Sequence, residues 1–172
     1  KNNLKTTTGG RLAFGLSAAG YLDPDIFRFF QRCGIKLLSG YGMTEATGGI
    51  TMTPPNQYEE NSVGMALPGL ELKLNHDGEL LMKGPYISPG FHRQESRSFK
   101  DGWFYSGDIF EVKNSHYYII DRKKDIYKNS RGQTIAPQKI ENLFNDFESI
   151  KSVFLIGDGK EFNTVLIYPT KD

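Results

Sequence analysis

The tightest constraint on how this chain can fold lies between Asp23 and Ser39, where a helix signal runs directly into a strand signal. Asp23 is suited to cap a helix whose first residue is Pro24, a position where a missing N–H costs nothing. Ile26, Phe29, Phe30 and Cys33 follow at i, i+3, i+4 and i+7, which predicts one apolar helix face, and Gly34 supplies the stop. Residues 35–39 then read as a short buried strand, and residues 11–17 ahead of the helix read as another. Strand, small-residue turn, helix, strand is the grammar of a parallel α/β layer, and ligands of such layers gather at the carboxyl ends of the strands. Here those ends are Ala18-Ala19-Gly20 and Gly40-Tyr41-Gly42-Met43-Thr44-Glu45.

The second of these ends, read as a glycine-rich turn leaving a strand, brings together an aromatic ring, two glycines, a hydroxyl and a carboxylate. Glycine lets the backbone approach a ligand closely because no Cβ intervenes. Tyr41 suits covering a flat base, Thr44 suits a phosphate oxygen, and Glu45 suits a magnesium ion. A polar turn that merely leaves a strand is the competing reading of the same hexapeptide.

From residue 64 the texture changes. Leu70, Leu72 and Leu74 alternate with polar residues, Asp77-Gly78 turns the chain, and residues 79–83 return, which is the pattern of a β-hairpin. Two further strands are expected at 105–112 and 116–120, so the middle third reads as an antiparallel β subdomain, barrel or sandwich. Within it, Asp108 follows a glycine at the end of Trp103-Phe104-Tyr105-Ser106-Gly107 and is placed to accept two neighbouring hydroxyls, as on a ribose. An ordinary turn carboxylate is the competing reading, and Arg122 either shares that sugar or is an exposed charge. A third texture begins after Asp121: Pro137 opens a helix with Ile140, Leu143, Phe144 and Phe147 on one face, and strands at 152–156 and 163–168 follow. The expected division is 1–62 for the end of an α/β nucleotide-binding subdomain, 63–121 for the β-barrel-like subdomain, and 122–172 for a hinge and the start of a small α+β domain.

Charge and motif content exclude several classes. With 21 Lys and Arg against 20 Asp and Glu, no global field gathers nucleic acid. The basic run Arg122, Lys123, Lys124, Lys128, Arg131 is interrupted by Asp125 and reads as a solvated loop. Single Cys33 cannot form an internal disulfide and reads as a small buried hydrophobe; His76, His92 and His116 lack metal-ligand spacing. Nucleophile-elbow, phosphate-loop and dinucleotide fingerprints are all missing. No apolar run is long enough for a membrane span, residues 1–8 do not resemble a secretory signal, and a reducing, cytoplasmic setting is expected.

Taken together, Gly40-Tyr41-Gly42-Met43-Thr44-Glu45, Trp103-Phe104-Tyr105-Ser106-Gly107-Asp108, Asp121-Arg122-Lys123-Lys124-Asp125 and Ile135-Ala136-Pro137-Gln138-Lys139-Ile140-Glu141-Asn142 resemble, in this order, the adenylate-forming (AMP-binding) superfamily of acyl-CoA synthetases. Within it the chain is most similar to bacterial-type long-chain fatty acid–CoA ligases, from Arg11 to Pro169. The resemblance implies that Tyr41 stacks on adenine, Thr44 bonds the α-phosphate, and Glu45 binds Mg2+. Gly42 belongs to the same motif, and Asp108 and Arg122 would hold the ribose hydroxyls. Ser17-Ala18-Ala19-Gly20 stands where the family usually has Ser-Gly-Gly-Ala beside the adenine, which implies a tighter pocket. Lys124 corresponds to the hinge between the large and small domains, and Lys128 and Gly132 to the loop lining the thiol passage. Arg131 stands where the subfamily often has another glycine.

The implied reaction uses ATP, a fatty acid and coenzyme A: the carboxylate attacks the α-phosphate, pyrophosphate leaves, and the thiol takes the acyl group from acyl-AMP. The family's phosphate loop would lie upstream of Lys1 and its catalytic lysine downstream of Asp172, so the resemblance implies an internal fragment with negligible turnover by itself. Alternatives are an acyl-AMP ligase that loads a carrier protein and a non-catalytic nucleotide-binding module. Peripheral membrane association is left open.

Overall fold

A computed structural model describes residues 2–20, 22–90, 92 and 98–170. A short helix, α1 (Asn2–Thr7), precedes β1 (Phe14–Ser17). Helix α2 (Pro24–Arg32) starts as its sequence dictates: the Asp23 carboxylate accepts from the N–H groups of Asp25 and Ile26 at 2.7 and 3.2 Å. Gly34, at φ 74°, turns the chain out of the helix. Strand β2 (Lys36–Met43) then lies parallel to β1, with Phe14 opposite Lys36 and Ser17 opposite Ser39. The β1–α2–β2 crossover is the parallel α/β unit that the order of signals predicts.

Two local expectations are corrected. The apolar face of α2 is seated on Phe27, which is buried and meets Tyr58 edge-on with ring centroids 4.7 Å apart, while Ile26 and Phe29 are exposed and Cys33 is half-buried. The helix leans on β2 and the loop carrying Tyr58, so only part of the periodic stripe finds a floor. The hexapeptide around Tyr41 is not a turn leaving the strand either. Strand β2 continues through it to Met43 and pairs antiparallel with β3 (Gly48–Met52), with a bulge between Tyr41 and Gly42. The reversal comes later, in the 3₁₀ turn Thr44–Ala46 and at Thr47, whose φ is 53°. Gly42 is required by this pairing, since a Cβ there would lie 1.8 Å from the Gly48 carbonyl oxygen. Strand β4 (Met65–Ala66) completes a first sheet in the order β1-β2-β3-β4.

The second sheet is antiparallel throughout. Strands β5 (Glu71–Leu74) and β6 (Glu79–Lys83) form the predicted hairpin, and β6 pairs with β8 (Trp103–Lys113). The short β7 (Phe99–Lys100) and β9 (His116–Arg122) both pair with β8. The core lies between the two sheets: Tyr41 and Ile50 of the first, with Ala46 of the turn that joins their strands, meet Leu80, Met82, Phe104 and Phe110 of the second. Ile50, Leu80 and Met82 are wholly buried, each stabilising the fold by roughly 1.5–3 kcal/mol.

Beyond β9, a ribbon of β10 (Tyr127–Lys128) and β11 (Thr134–Ile135) leads into α3 (Pro137–Glu141), then a second ribbon of β12 (Ile150–Ile156) and β13 (Thr164–Pro169). Pro137 does open the helix, but α3 ends at Glu141 and tightens into a 3₁₀ turn at Asn142–Phe144. Three residues per turn break the expected stripe, and Leu143 and Phe147 stay exposed. No described helix is long and apolar enough to cross a membrane.

The Gly42 contact is against backbone, which cannot rotate away. Gly42→Ala is expected to lower stability by about 1–3 kcal/mol or more, whereas Gly20→Ala, with open space around it, is expected to stay within about 0.5 kcal/mol. Urea midpoints of the two variants measure the difference.

Candidate functional site

An open cleft of about 1320 Å³ runs between the two sheets and the segment after β9. Its floor is set by a hairpin whose register could not be read from spacing. The turn at Asn114-Ser115, both at positive φ, folds β9 back on β8 so that Asp108 stands directly opposite Arg122. Arg122 Nε is 3.7 Å from Asp108 Oδ1. Tyr41 arrives from the first sheet, and its hydroxyl donates to Asp108 Oδ2 at 2.6 Å. Side chains from two other strands, Tyr41 of β2 and Arg122 of β9, thus converge on the Asp108 carboxylate of β8.

The local backbone explains why Asp108 is available. Between the pairs Glu79–Ile109 and Leu81–Tyr105, β6 spends one residue while β8 spends Ser106, Gly107 and Asp108. This bulge, with Gly107 at φ 76°, lifts the aspartate out of the ladder, and the Ser106 hydroxyl accepts the Asp108 N–H at 3.1 Å. Asp108 therefore lies within the long strand β8, at the point where its pairing with β6 is interrupted. Its side chain is 16% exposed, and that of Arg122 60%. A carboxylate has about four lone-pair positions, so Asp108 keeps accepting capacity toward the cleft.

Tyr41 is 9% exposed and meets Phe110 edge-on, with centroids 4.9 Å apart. It presents little free ring surface, and its hydroxyl is committed to Asp108. Burial first, and the bond to Asp108 second, hold its phenol protonated far above the ordinary range. Thr44 and Glu45 line the same cleft from the 3₁₀ turn that follows β2. Neither side chain has a hydrogen-bond or ion-pair partner among the described residues. Glu45 belongs to no group of three or more His, Cys, Asp or Glu side chains that could hold a metal ion, and none is found among the described residues. A lone carboxylate fits a magnesium ion that arrives with phosphate oxygens and water, not one caged by protein.

The other residues singled out in the sequence divide. Ala19, Gly20, Gly42 and Lys124 line the cleft, whereas Ala18 does not. Ala19 adopts φ 67°, a left-handed conformation that costs a residue with a Cβ about 1–2 kcal/mol. Lys128 ends β10, and Gly132 belongs to the turn before β11; neither borders the cleft. Three residues were overlooked. Ser106 and Glu79 shape the Asp108 bulge, and fully buried Asp121 accepts from the Gln138 N–H at 2.9 Å, tying the first turn of α3 to β9. A strand glycine beside polar residues was the available sign of the bulge; nothing in the sequence pointed to the Asp121 contact.

Residues 2–92, including β2 and the Thr44–Glu45 turn, match the family described as AMP-binding enzyme. This chain belongs to that family. Long chain acyl-CoA synthetase 7, peroxisomal, of Arabidopsis thaliana is 34% identical over 186 residues, a match covering 96% of this chain and 26% of that protein. Long-chain-fatty-acid–CoA ligase 6 of Rattus norvegicus is 31% identical over 186 residues, covering 98% of this chain and 27% of that protein. The chain thus spans little more than a quarter of the length of these curated relatives. Among solved structures, o-succinylbenzoate CoA synthetase from Bacillus subtilis, in complex with its acyl-adenylate intermediate, superposes with a TM-score of 0.83 at 21% identity. That match covers 99% of this chain and 40% of the other, and shows a shared fold.

The buried phenol fixes a pH dependence for this chain. Below the unfolded-chain value of about 10 both states hold the Tyr41 proton, and its stabilisation is fully present. Above that pH the unfolded chain ionises while the folded chain does not, so stability is lost as pH climbs toward the raised folded value. Urea midpoints from pH 8 to 11 are expected to fall less steeply in Tyr41→Phe than in the unaltered chain.

Proposed function

We propose that this chain carries the adenosine side of the active site of an ATP-dependent long-chain fatty acid–CoA ligase. The observation that supports it is the meeting of Tyr41, Asp108 and Arg122 on one cleft that Thr44 and Glu45 also border. In this reading the Asp108 carboxylate accepts the ribose hydroxyls, Arg122 donates beside it, and Tyr41 walls the base side while holding Asp108 in place. Ala19 and Gly20 face the adenine across the cleft. Thr44 donates its hydroxyl to an α-phosphate oxygen. Glu45 is the residue that would hold a magnesium ion, which neutralises phosphate charge when bound.

The reaction follows from what these residues hold still. A fatty acid carboxylate oxygen forms a bond to the α-phosphorus of ATP, the bond to pyrophosphate breaks, and acyl-AMP remains. The coenzyme A thiol then bonds to the acyl carbon, its proton goes to solvent, and AMP leaves. Fixing the nucleotide by its sugar and α-phosphate converts the first attack into an oriented step within one complex. Long-chain acids are favoured as substrate because the quoted ligase and synthetase relatives carry that specificity in their names. Lys124 would be the pivot that lets the segment beyond it turn between the two half-reactions, and Lys128 and Gly132 would approach the thiol passage after that turn.

In the enzyme carrying this segment, fatty-acid-dependent ATP–pyrophosphate exchange should favour long chains over short ones. Asp108→Ala should raise the KM for ATP by roughly ten- to a hundredfold, since hydrogen bonds to a charged group contribute about 1.5–3 kcal/mol each. Exchange that ignores the fatty acid, or an unchanged KM for ATP, counts against the assignment.

A further inference from the structure

The bulge that presents Asp108 leaves an amide without a ladder partner, and the partner it finds is a buried carboxylate. Glu79 is 4% exposed, and its Oε1 accepts the Gly107 N–H at 3.1 Å. Its Oε2 accepts from Lys123 Nζ at 2.7 Å, and the same ammonium lies 2.8 Å from Asp77 Oδ2. The Lys123 N–H in turn donates to the Gly107 carbonyl at 2.8 Å. Gly107 immediately precedes Asp108, and Lys123 immediately follows Arg122. Glu79 therefore bonds, through one oxygen, the backbone amide that precedes Asp108 and, through the other, the side-chain ammonium of the residue that follows Arg122.

A carboxylate removed from water is costly and is retained only where donors compensate it. Both of the donors that bond Glu79 belong to the segments that carry Asp108 and Arg122, so its charge is not explained by packing of β6, whose neighbouring Leu80 and Met82 are wholly apolar and buried. We infer that Glu79 is a positioning residue for nucleotide binding: with Lys123 as its counter-ion, it fixes the Ser106–Asp108 bulge and the Arg122 backbone so that the Asp108–Arg122 pair meets both hydroxyls of a ribose. The inference rests on the reading of Asp108 and Arg122 given above. It adds that the geometry of the pair is set from behind, by a side chain that never touches the nucleotide.

The test compares AMP with 2′,3′-dideoxyadenosine monophosphate, titrated calorimetrically into the enzyme carrying this segment. The unaltered chain binds AMP more tightly. Glu79→Leu weakens AMP by about tenfold or more, a loss of the size expected for one charge-assisted hydrogen bond, and leaves the dideoxy compound within about twofold. Glu79→Gln, which keeps an acceptor for Gly107, restores most of the AMP affinity. Adding Asp108→Ala to Glu79→Leu costs little beyond Asp108→Ala alone. Should Glu79→Leu fail to fold, Lys123→Met, which alters a half-exposed lysine and leaves the Gly107 N–H bonded to Glu79, shows a smaller loss, likewise confined to AMP.

Equal weakening of both nucleotides, or no change in either with these variants, overturns the positioning role while the ribose assignment stands. An unaltered chain that does not distinguish the two nucleotides removes the ribose assignment itself, and the inference falls with it.

Discussion

The hydrogen bond from Tyr41 to Asp108 joins two sheets that face each other across a largely apolar core and are also tied at one edge by the backbone bonds of Val63 and Gly64 to Tyr117. Tyr41 belongs to a strand shared by a parallel and an antiparallel pairing, and Asp108 to the longest strand of the second sheet. Around this bond the core is greasy: Ile50, Leu80, Met82, Phe104 and Phe110 are buried together. Apolar packing sets the spacing of the sheets but is tolerant of sliding, because it has no direction. A short hydrogen bond to a carboxylate is directional and, in a dry setting, strong. At the cleft, the Tyr41–Asp108 bond is thus a directional contact set beside an apolar seam.

Glycine plays two opposite parts in this arrangement. Gly42 has no side chain because a neighbouring strand occupies the space, so its role belongs to the fold before it belongs to any ligand. Gly107 has open space around it and is there for its left-handed φ, which lets β8 bulge and turn Asp108 outward. Ala19 holds a left-handed φ without that freedom, a strain of the kind that gathers at binding sites.

Elements whose signals are local could be read from the chain directly. The Asp23-Pro24 start and Gly34 stop delimit α2 closely, the leucine alternation with Asp77-Gly78 delimits the β5–β6 hairpin, and the crossover to β2 follows from order alone. Features set by partners distant in sequence could not. The burial of Phe27 in place of Ile26 and Phe29 depends on Tyr58, which no periodicity mentions. Continuation of β2 through Tyr41 depends on β3 arriving to pair with it, and the shortness of α3 on what its last turn meets. Within the site, Tyr41, Thr44, Glu45, Asp108 and Arg122 announce themselves by chemical type. Glu79 and Asp121 do not, because a carboxylate in a strand looks the same whether it faces water or a buried amide.

The Asp121 carboxylate has a consequence for how the chain can move. It is sealed from solvent at the end of β9, and one oxygen accepts the Gln138 N–H of α3. Any displacement of α3 away from the sheet must strip that donor from an anion, and water has to enter the gap before the separation becomes tolerable. The joint between the second sheet and the carboxyl-terminal segments therefore behaves as a detent: it rests in the arrangement seen here and leaves it only when solvent or a ligand replaces the lost amide.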